Sequence, residues 1–398
     1  MERTILHCDC NSFFASVECI LNPELKNVPM AVGGSEKERH GIILAKNEIE
    51  KKYNIKTAET IWQAKKKCPD LIIVPPHHEL YKQYSKKVME VYKRYTDLIE
   101  PFGLDEAWLD VTGSKRLFGT GVEIANELRK IIREEIGLTI SVGVSFCKVF
   151  AKLGSDYKKP DATTVFSKDN WKSYIFPMDV SELLFVGKST ENTLKRLGIK
   201  TIGDLAMSDK DLLISQLGKA GRQLHIYANG LDNEAVKSIY DEDEVKSVGN
   251  GQTFRYDLIG EEEIRENIKP LCESVAKRLR IKNLKCITVQ VQIKDPNLRV
   301  IQRQKKLEKP TYLSREILKC AMDIIKESWN LSLPVRMITI TGSNLIKENE
   351  INEQLSLFDV PDEKRIKTEK LERTLDILEN KFGKNMMHIR KKEDENES

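Results

Sequence analysis

Apolar residues along this chain recur with period two in some stretches and at three- or four-residue spacing in others, and the switches between the two mark its elements. Thr4 to Cys8 is an extended apolar run that ends at Asp9. Asn11 or Ser12 then caps a helix carrying Phe13, Val17 and Leu21 at four-residue spacing. Phe14 lies about 100° round that helix from Phe13 and need not share its core. Short apolar stretches follow at Val28 to Val32 and Gly41 to Ala45, then basic helical segments at Lys46 to Lys52 and Ile61 to Lys67. Leu80, Tyr84, Val88, Val91, Tyr95 and Leu98 predict a helix from Glu79 to Ile99. Val122 to Glu135 reads as a helix with Ala125, Leu128 and Ile132 inward, and Leu138 to Ser145 as a strand. Strands at 3–9, 98–112 and 138–145 with two long packing helices make an α+β layer. Further on, residues 181–206 read as helix, glycine-containing turn, helix, and Leu217 to Gly221 holds a second such turn. From Lys246 to 341 the order is strand, helix, strand, strand, helix, strand. Residues 361–383 add an amphipathic helix in an otherwise polar tail.

One stretch breaks the pattern. Pro101 to Asp110 places Asp105 and Glu106 side by side among Phe102, Leu104, Trp108 and Leu109. Charges in apolar surroundings need a partner or a metal, although a turn with solvated acids would also fit this stretch taken alone. Consecutive strand residues point to opposite faces, so the two acids share a site only at a turn or irregularity, for which Gly103 supplies the freedom. The sheet layer brings Asp9 beside them, although a strand-end acid that caps the next helix is the plainer role for Asp9 in isolation.

Composition and charge narrow the class. At 398 residues the chain holds two to four domains. No apolar run approaches the ~20 residues of a membrane span, and the first residues lack the layout of a signal peptide, so a soluble, cytoplasmic protein without a membrane partner is expected. Eight scattered cysteines fit a reducing compartment, and Cys8 and Cys10 lack the further ligands of a zinc site. The net charge of +4 is unevenly spread: residues 246–345 hold 19 Lys+Arg against 11 Asp+Glu, whereas 346–398 hold 11 against 14. All the excess positive charge sits in one segment, as in a module that contacts phosphates.

Three motifs then carry a resemblance. Cys8-Asp9-Cys10-Asn11-Ser12-Phe13-Phe14-Ala15-Ser16-Val17-Glu18, Leu104-Asp105-Glu106-Ala107-Trp108-Leu109-Asp110-Val111, and Ser141-Val142-Gly143-Val144-Ser145 through Lys148-Val149-Phe150-Ala151-Lys152 resemble the Y-family DNA polymerases, nearest to the DinB type, over the chain to about residue 358. The resemblance implies a multidomain α+β right-hand polymerase: a ferredoxin-like palm (1–10 and 77–166), small fingers (11–76), a helix-hairpin-helix thumb (167–237), a linker (238–246), a β-α-β-β-α-β little finger (247–345) and a tail (346–398). It implies a monomeric, error-prone, non-proofreading enzyme that extends primer-template DNA with deoxynucleoside triphosphates across damage. A non-catalytic accessory of the same fold is the alternative, and the presence of all three acids argues against it. A transferase inserting one kind of nucleotide would carry recognition segments that are missing here.

The same resemblance implies roles for residues. Asp9, Asp105 and Glu106 hold two Mg²⁺ ions, with the Cys10 carbonyl as an extra ligand. Phe14 stands where an aromatic ring excludes a 2′-hydroxyl. Lys159 meets the triphosphate, Lys51 stands where relatives carry Arg, and Lys46 contributes. Glu48 replaces a customary Tyr beside the retained Asn47, Gly103 stands where many relatives carry Ser, and Ile42 lies near the nascent base pair. The paired glycine turns contact DNA backbone, as do Arg255, Arg299, Arg303, Lys305 and Lys306. Gln354-Leu355-Ser356-Leu357-Phe358 resembles the short peptide that binds a sliding clamp.

Overall fold

The structure, a computed structural model, describes residues 2–35, 41–241, 244–350 and 363–382. Contacts divide the chain into two units, with the division after residue 242.

In the first unit, β1 (Ile5–Cys10) leads into α1 (Phe13–Leu21). Next come β2 (Met30–Gly33), β3 (Ile43–Lys46), α2 (Ile61–Lys67) and β4 (Ile72–Val74), whose strands form a small sheet in the order β3-β2-β4. α3 (His78–Tyr92) precedes the hairpin of β5 (Ile99–Pro101) and β6 (Glu106–Asp110). A short α4 (Lys115–Phe118), α5 (Gly121–Ile131), β7 (Ile140–Ser145), α6 (Lys148–Tyr157) and β8 (Thr163–Phe166) complete a five-stranded sheet in the order β5-β6-β1-β7-β8. β1 is therefore central, paired antiparallel with β6 and β7. Its alternation divides the sheet: Leu6 and Cys8 join Ala107, Leu109 and the apolar faces of α3 and α5 in one core, while His7 and Asp9 face the side carrying Glu106 and Trp108. Trp108 and Leu109 are both buried. Five helices follow, α7 (Trp171–Ile175), α8 (Lys188–Arg196), α9 (Ile202–Met207), α10 (Lys210–Leu217) and α11 (Lys219–Ala228), around a second core that they share with Val149, Phe150 and Leu153 of α6 and Phe166 of β8.

In the second unit, β9 (Ser247–Leu258), α12 (Glu261–Ile281), β10 (Leu284–Lys294), β11 (Val300–Thr311), α13 (Ser314–Ser328) and β12 (Val335–Lys347) form a sheet ordered β11-β10-β12-β9 with helices on one face. α14 (Glu363–Phe382) closes the described chain.

Several expectations change. The expected helix at 46–52 is instead the end of β3 at Lys46 followed by a 3₁₀ turn, Glu50–Tyr53; pairing with β2 decides the backbone there, since Lys46 lies opposite Ala31. The long strand 98–112 is a hairpin. Its turn contains Gly103 at φ +127°, a conformation L side chains rarely adopt. The helix expected to reach 99 stops at Tyr92. Ser12 occupies the cap position of α1 in a left-handed conformation without a side-chain cap bond, and the Asn11 amide is used elsewhere. Leu21 ends α1 exposed rather than in the stripe. Beyond 345, β12 continues to Lys347, and α14 packs on its own unit through charge: Arg280 bonds Glu372 and Asp376, Lys277 bonds Glu379, and Lys285 bonds Glu369. The clamp-like peptide, 354–358, lies outside the described residues.

Candidate active site

The three acids lie around the end of β1. Asp9 lies directly opposite Glu106 in the β1–β6 pairing. The Cys10 amide donates to the Asp105 carbonyl at 2.9 Å, which ties the hairpin turn to the strand end. Because β6 begins at Glu106, Asp105 belongs to the turn and escapes the strand alternation. This is the irregularity that adjacent acids require.

Bases hold two of these acids. Lys159 Nζ is 2.8 Å from Asp9 Oδ2 and 2.7 Å from Asp156 Oδ1. Lys152 Nζ is 2.5 Å from Glu106 Oε2, and His7 Nε2 lies 3.4 Å from the same oxygen. Burial opposes ionisation of Glu106, but His7 and Lys152 outweigh it and hold its carboxyl at about 2. Burial pushes Asp9 up against the pull of Lys159. Asp105 has no ion pair among the described residues; burial first, then the charges of Asp9 and Glu106, push it up to about 6. Lys159 stays above its ordinary value, since Asp9 and Asp156 outweigh its burial.

Among the described residues no three acids, histidines or cysteines converge on one metal-sized point. The donor chemistry nevertheless fits a hard divalent cation, which prefers carboxylate and carbonyl oxygen. Of the three carboxylates around this strand end, Asp105, pushed up by burial and then by the charges of Asp9 and Glu106, is the one without the positive charge such an ion supplies.

Other candidate residues fall around this centre. Phe14 is half-buried and stacks on Tyr81, with centroids 4.2 Å apart and planes 13° apart. Tyr81 donates to Glu18 Oε1 at 2.5 Å, and His77 Nδ1 lies 2.8 Å from that oxygen. A buried carboxylate thus anchors the ring beneath Phe14. Ser12, two residues before Phe14, donates to Glu48 at 3.2 Å. Asn47 donates to the Leu25 and Val28 carbonyls, a scaffold role. Asn11 joins Ser141 to the Asp161 amide. Ile42 is exposed and bridges Thr60. Lys46 makes no bond to the three acids among the described residues, and the side chain of Lys51 is outside them. His7, Lys152, Ser155, Tyr81 and Glu18 do not stand out from sequence as site residues. His7 carries one signal: it stands two residues before Asp9 on the same strand face.

The impB/mucB/samB family matches residues 8–156, and its C-terminal domain matches 245–357. DNA polymerase IV of Acetivibrio thermocellus is 48% identical over 96% of both chains. DNA polymerase IV of Clostridium kluyveri is 38% identical over 96% of each. DNA polymerase IV 1 of Bacillus subtilis is 36% identical over 96% of this chain and 91% of its own. Among solved structures, a Y-family DNA polymerase chimera superposes with a TM-score of 0.78 at 25% identity, covering 86% of this chain and 99% of its own. With the acids at the end of β1 and relatives matching nearly end to end, this chain belongs to the Y-family of DNA polymerases, in its DNA polymerase IV (DinB) branch.

Proposed function

We infer that this chain performs template-directed, low-fidelity DNA synthesis across damaged templates, and that Asp9, Asp105, Glu106 and the Cys10 carbonyl hold two Mg²⁺ ions. The observation that carries the reading is the grouping of three acids at the end of β1, with Asp9 opposite Glu106, the Asp105 turn tied to Cys10, and Asp105 without an ion pair among the described residues. Bound there, such ions would lower the barrier by activating the primer 3′-oxygen and neutralising the departing pyrophosphate. The protein's part is to place oxygen donors. The β1–β6 pairing aligns Asp9 with Glu106, and the Cys10–Asp105 backbone bond fixes the turn. Lys159, which pairs with Asp9 and Asp156 here, has the length and charge to turn to a triphosphate, with Lys51 and Lys46 as further candidates. Phe14, backed by Tyr81, selects against a 2′-hydroxyl by exclusion.

DNA contacts are proposed for two further places. Gly187 and Gly218 precede α8 and α11, whose first N–H groups receive no side-chain cap and where an added Cβ would meet nothing within 4 Å; such turns suit a phosphate. Arg255, Arg299, Arg303, Lys305 and Lys306 are all exposed on or beside the sheet of the second unit. The 354–358 peptide is assigned to a sliding clamp; its deletion should abolish clamp-stimulated extension and spare basal synthesis. The boundaries given above for palm, fingers, thumb and little finger, a cytoplasmic location and a monomeric state belong to the same reading. Primer extension with Mg²⁺ on undamaged and lesion-bearing templates tests it: Asp105→Ala should extend neither, and extension equal to wild type refutes the metal assignment.

A further inference from the structure

His7 sits in the middle of β1, opposite Trp108 on one neighbouring strand and Gly143 on the other, with no exposure to solvent. Its ring meets Trp108 edge to face, with centroids 5.1 Å apart. Nδ1 lies 2.8 Å from Ser155 Oγ. Nε2 points at Glu106 Oε2 from 3.4 Å, beyond good hydrogen-bond length, and among the described residues it has no other partner. Lys152 Nζ grips the same oxygen at 2.5 Å. Glu106 Oε1 receives no hydrogen bond from any described residue.

We propose that His7 is a positioning residue for the polymerase reaction: with Lys152 it fixes one oxygen of Glu106, so that the other oxygen is the one presented to a catalytic ion. The inference rests on Glu106 being a metal ligand.

The hydroxyl of Ser155 decides how His7 acts. It has a single proton and two acceptors in reach, His7 Nδ1 and the Lys152 carbonyl, each at 2.8 Å. If it donates to Nδ1, the neutral imidazole carries its proton on Nε2, facing the carboxylate. If it donates to the carbonyl, a bare Nε2 lone pair faces that oxygen instead. The negative charge of Glu106 favours the first arrangement, so the chain runs Ser155 to His7 to Glu106. A small inward shift of the carboxylate completes the last bond.

The backbone is shaped for this contact. Lys152 and Ser155 are three residues apart on α6 and share a face of it. α6 lies so close to β7 that a Cβ on Gly143 would stand 1.9 Å from the Ala151 carbonyl oxygen and 2.5 Å from the Ser155 amide. Glycine opposite His7 is thus what lets Ser155 reach the ring.

Two variants separate positioning from packing. His7→Phe keeps a ring against Trp108 but removes Nε2, and His7→Gln returns an amide N–H at about the same reach. His7→Phe should raise the Mg²⁺ needed for half-maximal extension and lower kcat, each about tenfold, with KM for the incoming nucleotide within about twofold. His7→Gln should recover most of both losses. Mn²⁺ binding followed by electron paramagnetic resonance, with a dideoxy-terminated primer, reads the same loss without turnover. Wild-type Mn²⁺ affinity in folded His7→Phe, or a His7→Gln no better than His7→Phe, overturns the proposal. If His7→Phe does not fold, Ser155→Ala decides instead: Mn²⁺ affinity about threefold weaker supports the hydrogen-bond chain, and unchanged affinity overturns it. Asp105→Ala tests the metal reading separately, so a failure of His7 alone leaves that reading intact.

Discussion

Arg280 on α12 and Asp105 in the turn before β6 are both charges largely withdrawn from water, and they differ in their partners. Arg280, its side chain 8% exposed, bonds Glu372, both oxygens of Asp376 and the Tyr312 carbonyl. Asp105 faces two other acids with no ion pair of its own among the described residues, and its carboxyl is displaced to about 6. The first arrangement is closed and holds α14 in place. The second leaves Asp105 without a base among the described residues. Under the proposed reading, satisfied charge marks scaffold here and unsatisfied charge marks the metal site.

The largest expected effect tests the Asp105 side. Asp105→Ala should reduce primer extension by about 10³-fold or more, the equivalent of several kcal/mol of transition-state stabilisation, whereas Arg280→Ala should leave single-nucleotide incorporation within about twofold. Equal losses in both would erase the contrast. Phe14→Ala comes next: discrimination against ribonucleotides should fall about 10- to 100-fold with Mg²⁺ dependence unchanged, and an unaltered sugar preference in primer extension would remove Phe14 from the site.

Stability changes should be smaller. Asp105 is raised from 3.8 to about 6, so the folded protein holds that proton more tightly than the unfolded chain. Its contribution is fully present below about pH 4 and is lost as pH rises through about 6. In chelator, wild type should therefore lose on the order of 1–2 kcal/mol relative to Asp105→Asn between pH 4 and 6.5, after discounting for partial exposure. Glu106, held at about 2, acts with the opposite sign: its contribution is present above about pH 4.5 and is lost toward pH 2, in both proteins alike. Urea unfolding of the pair across this range reads the difference, and parallel curves would place Asp105 at an ordinary carboxyl value.

On the closed side, Arg280→Ala leaves Glu372 and Asp376 without their shared base. Amide exchange across 363–382 should accelerate by the equivalent of about 1–3 kcal/mol; unchanged protection would mean that other interactions hold α14. The smallest effect concerns exposed charge. Replacing Arg299, Arg303 and Lys306 by Ala should lower the slope of log affinity for DNA against log salt by about one for each phosphate left without its cation, and an unchanged slope would make that face ordinary surface.

Much of this is legible in the chain. The run ending at Asp9 announces a strand, the spacing of Leu80 to Val91 a helix, and Asp105-Glu106 among aromatics a demand for positive charge, because burial patterns and charge placement are written residue by residue. Lys46 to Lys52 misleads because its helical appearance is local, while its strand pairing with Ala31 is not. α14 is legible as a helix but not as a docked one, because its charged face, rather than an apolar stripe, meets the rest of its unit.

The amino-acid sequence by itself determined the order of elements, the three acids and the family, since each depends on residue type and spacing. Only the tertiary structure decided that Lys152 and His7 converge on one oxygen of Glu106 while Asp105 stays without a base among the described residues. Those contacts join strand, turn and helix across more than 40 residues of chain, and what reaches what across such a gap is set by packing, here by α6 lying against Gly143.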